Sequence, residues 1–235
     1  MALKVIGGEY GGRVLSSVRG MGTRPLLGQV REAIFDILGS KAQDAEVWDL
    51  FAGTGASGIE ALSRGARRVL FLEKSNQALT ILRSNLQMLG PVALERSRVI
   101  KTDAWDPAIP QLDGEEGEVA PDLVFLDPPY AAVGEDPARA AYLARALVDR
   151  LAPGGVLCFH FLEGRLDGDD FDSDLSVDMR RWGKSAVAFL RLGGNEVDDL
   201  ASERERSLMP GAGGDVEEFD QAVENSGLGM DTGTP

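Results

Sequence analysis

Glu46-Val47-Trp48-Asp49-Leu50-Phe51-Ala52-Gly53-Thr54-Gly55-Ala56-Ser57-Gly58-Ile59-Glu60-Ala61-Leu62 is the stretch whose reading decides the fold. Its first six residues read as a strand, its middle as a glycine turn and its end as the start of a helix. Glycines in such a turn let the backbone come close to a ligand, and the helix N-terminus offers free N–H groups. The next apolar run, Val69-Leu70-Phe71-Leu72, closes on Glu73, and 20 residues separate Glu73 from Gly53. That spacing suits a carboxylate gripping ribose hydroxyls. Gly53-Thr54-Gly55-Ala56-Ser57-Gly58 also satisfies the dinucleotide fingerprint literally, so a nicotinamide dehydrogenase is one reading. Asp49, four residues before the first glycine, is less expected for dinucleotides and can reach the amino-acid end of S-adenosylmethionine.

Further along, Asp127-Pro128-Pro129-Tyr130 directly follows the apolar run Leu123-Val124-Phe125-Leu126. This sets a carboxylate, a rigid turn and an aromatic ring at the end of a buried strand. Those parts can hold a planar amine for alkylation. A flat aromatic amine is a poor nucleophile, because its lone pair is delocalised into the ring. Asp127 can accept one N–H, while the carbonyl of Pro128, fixed by the restricted geometry of Pro129, accepts the other. The lone pair is then turned towards an electrophile, and Tyr130 supplies a face for an unstacked base.

Periodicity places a helix from about Leu27 to Leu38, then strands at 46–51, 69–73, 98–101, 122–127 and 155–161 with helices at 57–64, 75–89 and 137–151. Pro91, Pro107, Pro110 and Gly114-Glu115-Glu116-Gly117-Glu118 mark loops, and short strands are expected within 3–20. Alternating units of this kind predict an α/β fold with a mostly parallel sheet and right-handed crossovers. Ligands of such sheets sit at the carboxyl ends of the strands, where Asp49, Glu73, Asp103 and Asp127 fall.

Asp49-x-Phe51-x-Gly53-x-Gly55, Glu73, Asp103-Ala104 and Asp127-Pro128-Pro129-Tyr130 resemble the successive motifs of class I S-adenosylmethionine-dependent methyltransferases that modify amino groups. Ile6-Gly7-Gly8-Glu9-Tyr10-Gly11-Gly12-Arg13-Val14-Leu15, Arg24-Pro25 and Val30-Arg31-Glu32-Ala33-Ile34-Phe35-Asp36-Ile37-Leu38 narrow the resemblance to the RsmD family, which methylates a guanine N2 in bacterial 16S ribosomal RNA. It covers about residues 3 to 192. The resemblance implies a Rossmann-like, seven-stranded, mostly parallel sheet with helices on both faces and a terminal hairpin over Leu175 to Leu192, turning at Gly183-Lys184. It implies S-adenosyl-L-methionine held by Asp49, Phe51, Ala52, Gly53, Thr54, Gly55, Gly58, Glu73, Lys74, Asp103 and Ala104. The catalytic set is then Asp127, Pro128, Pro129 and Tyr130, and Arg13, Arg24 and Arg31 meet the RNA, free or in a small-subunit particle. Where the family usually carries Thr-Thr-Asp-Arg, this chain has Leu26-Leu27-Gly28-Gln29, which loses polar groups near the cofactor and RNA approach.

The net charge of −14 is unevenly spread. Residues 1–31 hold Lys4, Arg13, Arg19, Arg24 and Arg31 against Glu9 alone, whereas 193–235 hold eleven acids against Arg204 and Arg206. Basic charge thus gathers where the family docks RNA. Three parts are expected: a basic arm and helix (1–40), the methyltransferase domain (41–192) and an acidic tail (193–235), which is poor in large apolar residues and expected to be disordered. The single cysteine, Cys158, lies in a buried-strand pattern and reads as core, which argues against cytosine C5 methylation by a nucleophilic thiol. The lone His160 lacks companions for a metal site and reads as a satisfied strand histidine. No apolar stretch is long enough for a membrane, and Met1-Ala2-Leu3-Lys4 lacks a signal-peptide core, so a cytoplasmic location is expected; a monomer without metal is expected as well. Two further readings stand beside guanine-N2 methylation: adenine-N6 methylation of DNA, and a non-catalytic RNA-binding or ribosome-assembly protein that keeps the fold.

Overall fold

The computed structural model describes residues 3–18, 25–105 and 120–193. Arg19, Arg24, the loop at Pro107, Pro110 and 114–118, and the acidic tail from 194 onward lie outside the described residues. A seven-stranded sheet carries the fold in the order β3-β2-β1-β4-β5-β7-β6. Its strands are β1 (Glu46–Leu50), β2 (Arg68–Glu73), β3 (Ser97–Lys101), β4 (Leu123–Leu126), β5 (Val156–Leu162), β6 (Leu175–Trp182) and β7 (Ser185–Leu192). The first five strands pair parallel; β7 is antiparallel to both β5 and β6. The chain moves outward from β1 to β3, then returns beside β1 with β4. The switch point between β1 and β4 is where an open sheet of this kind leaves a crevice.

Among the described residues six α-helices accompany the strands: α1 (Pro25–Leu38), α2 (Ala56–Ser63), α3 (Asn76–Leu89), α4 (Pro91–Glu95), α5 (Tyr130–Glu135) and α6 (Pro137–Val148). Their starts follow local chemistry. Ser75 Oγ accepts the Ala78 N–H at the head of α3, and Asp136 Oδ1 accepts the Arg139 N–H at the head of α6, whose first residue is Pro137. Two helices were not expected from the sequence. Pro91 and Pro129 read as turn markers, yet a proline is compatible with a helix start: Pro91 opens α4, and Pro129 is the N-cap residue of α5.

Strand alternation sorts the core into two layers. Val47, Val69, Phe71, Leu123, Phe125, Cys158 and Phe189 face one way, packing with Phe35 of α1, Ile59 and Leu62 of α2 and Leu82 and Leu86 of α3. Trp48, Leu50, Leu70, Leu72, Val124, Leu157 and Phe159 face the other way, towards Leu143, Ala144, Leu147 and Val148 of α6.

The N-terminal arm is part of this body rather than a strand-rich appendage. Among the described residues its only β pairing is the bridge Lys4 to Val14, while Val5, Tyr10 and Leu15 are each 3% exposed in the first layer. Buried Glu60 accepts the N–H groups of Ile6 and Gly7 at 2.7 and 2.9 Å and pairs with Arg64. Ser63 Oγ accepts the Tyr10 N–H and donates to the Gly7 carbonyl. A carboxylate with no exposure needs such partners to offset its lost hydration.

Candidate functional site

The β1–α2 turn is shaped by side chains that bind its backbone. Phe51 adopts φ 58°, unusual for an aromatic residue, and Gly53 and Gly55 follow at 55° and 85°. Asp49, 3% exposed, accepts the Gly58 N–H on Oδ2 at 2.8 Å. Glu73 accepts the Gly53 N–H at 2.8 Å and, with its other oxygen, the Ser75 N–H at 2.7 Å. Ala52 N–H donates to the Leu72 carbonyl, which ties the turn to β2. Asn85, buried on α3, donates to the Thr54 and Ser16 carbonyls and accepts the Ser16 N–H, so one side chain joins the turn to the N-terminal arm.

Space around the turn is tight. A Cβ on Gly55 would lie 2.3 Å from Leu82 Cδ1, and one on Gly58 would lie 2.3 Å from Phe71 Cε1. Beyond β3, the exposed Asp103 pairs with Lys74 at 3.1 Å and accepts the Trp105 N–H. Burial pushes the Asp103 carboxyl up, but the Lys74 and Trp105 hydrogen bonds and the charges of Lys74 and Arg139 outweigh it, and its pKa ends below the ordinary value. Ala104 is buried beside them. Trp105 meets Phe51 edge-on with centroids 5.0 Å apart, and the Arg139 guanidinium lies over the Trp105 ring at 4.9 Å.

Asp127 follows the last residue of β4 but is not a lone buried carboxylate. Its side chain is 51% exposed, and Oδ1 lies 2.9 Å from His160 Nδ1. His160, on β5, places Nε2 2.9 Å from the Tyr130 hydroxyl, which lies 3.2 Å from Ser185 Oγ on β7. Pro128 is buried and Pro129 exposed, and the Pro129 carbonyl receives the N–H groups of Ala132 and Val133 as α5 begins. The carboxylate that the sequence places at the end of a buried strand is thus half exposed and tied to the neighbouring strand. His160 is satisfied, as expected of a strand histidine, but its partners are the Asp127 motif itself. Sequence reasoning did not find His160, Ser185, Asn85, Trp105 or Arg139 as site residues. Only strand register or helix packing brings them in.

The four expected acids do gather at the carboxyl edge. Burial raises the Asp49 pKa, the Gly58 N–H lowers it, and the negative Asp127 and Glu73 raise it further, to about 7. Among the described residues no cluster of three or more His, Cys, Asp or Glu could hold a metal, and no helix is long and apolar enough to cross a membrane.

The expected RNA contacts fare differently. Arg13 is exposed, yet its guanidinium donates to the Met88 and Leu89 carbonyls at the end of α3 and lies over Tyr10. Arg31 is 8% exposed and donates to the Lys4 carbonyl at 2.5 Å, so it holds the arm to α1 instead of presenting its charge to solvent. Burial lowers its pKa against the raising effect of Glu60. Arg24 lies outside the described residues.

Comparison with known proteins bears on the family and the fold. The family described as Conserved hypothetical protein 95 matches residues 3–160. Ribosomal RNA small subunit methyltransferase D of Haemophilus influenzae is 36% identical over 128 residues, 54% of this chain and 64% of that protein. The protein of the same name from Escherichia coli is 34% identical over 128 residues, 54% of this chain and 60% of that protein. The alignments thus span less than two thirds of these relatives. Among solved structures, Escherichia coli yhhF superposes with a TM-score of 0.64 at 26% identity, covering 82% of this chain and 99% of that one.

Proposed function

The chain belongs to the RsmD-like family of class I S-adenosylmethionine-dependent methyltransferases, and from that premise we propose that it methylates the exocyclic N2 of a guanine in 16S ribosomal RNA. The observation that supports this most is the half-exposed Asp127 carboxylate, pinned among the described residues through one oxygen only and set beside a buried acidic turn. The second oxygen, Oδ2, is left to accept a substrate N–H.

The residues present fit S-adenosyl-L-methionine better than a dinucleotide. A pyrophosphate needs free backbone N–H groups at the turn. Here the Gly53 and Gly58 N–H groups are already bonded to Glu73 and Asp49. The converging acids Glu73 and Asp127, joined by Asp49 as it ionises near pH 7, repel a phosphate and attract a cation. Asp49 and the Gly53–Gly58 turn would hold the amino-acid end, Glu73 and Lys74 the ribose side, and Phe51, Asp103 and Ala104 the base side. The bound cofactor supplies an electrophilic methyl on its sulfonium, which an amine can attack as the carbon–sulfur bond breaks and its electron pair leaves with sulfur. Asp127 and the Pro128 carbonyl orient the amine, and Asp127 or solvent takes the proton that the alkylated nitrogen loses. Tyr130, tethered by its hydroxyl, gives the unstacked guanine a fixed ring to lie on.

Free 16S RNA or a small-subunit particle is the proposed partner, with Arg13 and Arg24 meeting phosphates, and the protein acts as a cytoplasmic monomer. Nucleoside mass spectrometry of 16S RNA from cells with and without the gene tests the reading. Loss of one N2-methylguanosine is expected. An unchanged nucleoside set overturns it, and loss of N6-methyladenine from DNA transfers the activity to the adenine reading.

A further inference from the structure

The Asp127 end of the site contains a hydrogen-bonded chain whose proton positions follow from chemistry alone. A carboxylate only accepts, so the proton between Asp127 Oδ1 and His160 must sit on Nδ1. In the neutral imidazole Nε2 is then an acceptor, and the Tyr130 hydroxyl donates to it. The Tyr130 oxygen in turn accepts from Ser185. Each link comes from a different element: the loop after β4, β5, the start of α5, and β7. Its outer end is the Asp127 side chain, 51% exposed, and its far end is Ser185, 2% exposed, with a buried His160 and a half-buried Tyr130 between them.

An exposed aspartate on a loop ordinarily explores several rotamers, and each wrong one costs alignment with the amine. Here one oxygen is anchored to a donor that cannot itself move, since its ring is packed in β5 and bonded at both nitrogens. The other oxygen has no hydrogen-bond partner among the described residues.

We propose that His160 is a positioning residue that fixes the Asp127 carboxylate through its Nδ1–H, with Tyr130 and Ser185 holding the imidazole in that tautomer. This rests on the reading of Asp127 as the acceptor for the substrate amine. Asparagine at position 160 can place an amide N–H near the Nδ1 position and keep the Asp127 link, glutamine reaches only the Nε2 position and keeps the Tyr130 link, and leucine keeps neither.

His160 is the only histidine in the chain, so its imidazole nitrogen resonances are unambiguous in full-length protein labelled with nitrogen-15. The Nδ1–H tautomer is expected in the parent protein, with the proton redistributing towards Nε2 in Asp127→Ala. A predominant Nε2–H form in the parent overturns the proposal whether or not any substrate is methylated. Steady-state methylation of 16S RNA from cells lacking the gene supplies the second measurement. His160→Leu and His160→Gln should lower kcat about 100-fold with the KM for S-adenosylmethionine unchanged, and His160→Asn should recover most of that loss. If His160→Leu does not fold, the Asn and Gln pair still decides. Equal rates for Asn and Gln, or an unaffected kcat in Gln, overturn the proposal. A parent protein that methylates no RNA contradicts the functional reading separately.

Discussion

Two acidic regions share the carboxyl edge of the sheet and are held in opposite ways. Around Gly53 the acids turn inward: Asp49 and Glu73 bond to backbone N–H groups of the turn and of the helix that follows. Around Asp127 the acid turns outward, and only a side-chain chain through His160, Tyr130 and Ser185 reaches the sheet. The first arrangement makes a rigid cradle, because backbone groups of the segments that follow β1 and β2 are fixed together. The second leaves a carboxylate oxygen available for chemistry. A cofactor site and a reacting site need those two properties respectively.

The largest expected break in this contrast comes from Asp127→Ala. Methyl transfer should fall about 100- to 10,000-fold, while stability changes by less than about 1 kcal/mol, because the side chain is half exposed and has one protein partner. Single-turnover methylation and thermal unfolding of the same variant check both parts. Substantial residual transfer removes Asp127 from the amine-holding role.

The cradle should respond in stability instead. Gly58→Ala replaces a helical glycine, a change that helix propensity alone favours by about 1 kcal/mol. The added Cβ would lie 2.3 Å from Phe71 and 2.9 Å from Asp49 Oδ2, and overpacking of this kind costs about 1–3 kcal/mol. A net loss in urea unfolding, together with weaker S-adenosylmethionine binding by calorimetry, is expected. A gain in stability would show that the Phe71 ring yields.

Asp49 gives the cradle a pH signature. The folded chain holds its proton up to about pH 7, and an unperturbed carboxyl releases it near 3.8. Between those values the folded state binds more protons, so its stability falls as pH rises through that window. Asp49→Asn should match the parent below about pH 4 and exceed it by a few kcal/mol above pH 7. Cofactor affinity should rise with pH towards 7 in the parent, as the carboxylate forms for a cationic ligand, and stay flat in the variant. Denaturant melts across about pH 3 to 8 and calorimetry across about pH 5 to 8 decide this.

The smallest effect concerns the rim. Arg13 caps carbonyls at the end of α3, so Arg13→Ala should cost less than about 1 kcal/mol. If Arg13 also contacts a phosphate, the variant flattens the salt dependence of RNA binding by about 0.7 to 0.9 in log–log slope. An unchanged slope assigns Arg13 to structure alone. Deleting residues 1–20 cannot make this distinction, because it uncovers Glu60 and removes Val5, Tyr10 and Leu15 from the core.

Much of this is legible in the chain itself. The five parallel strands fall within about one or two residues of their expected bounds, and the terminal hairpin turns where Gly183-Lys184 places it. Charge was a poorer guide. Arg31 counts as basic charge in the arm, yet it is buried and bonded to Lys4. A count of charges along a sequence carries no information about which of them face solvent.

The sequence by itself determined the order of elements, the glycine turn and the placing of acids at strand ends, because those follow from local periodicity and from backbone demands only a few residues long. The tertiary structure alone decided which side chains meet. The register that pairs Phe125 with Cys158 carries Asp127 to His160 two residues further on, and the antiparallel insertion of β7 brings Ser185 within reach from more than fifty residues away. Strand alternation shows that such residues share a face, but only the hydrogen-bonded register between strands distant in sequence fixes which of them become neighbours.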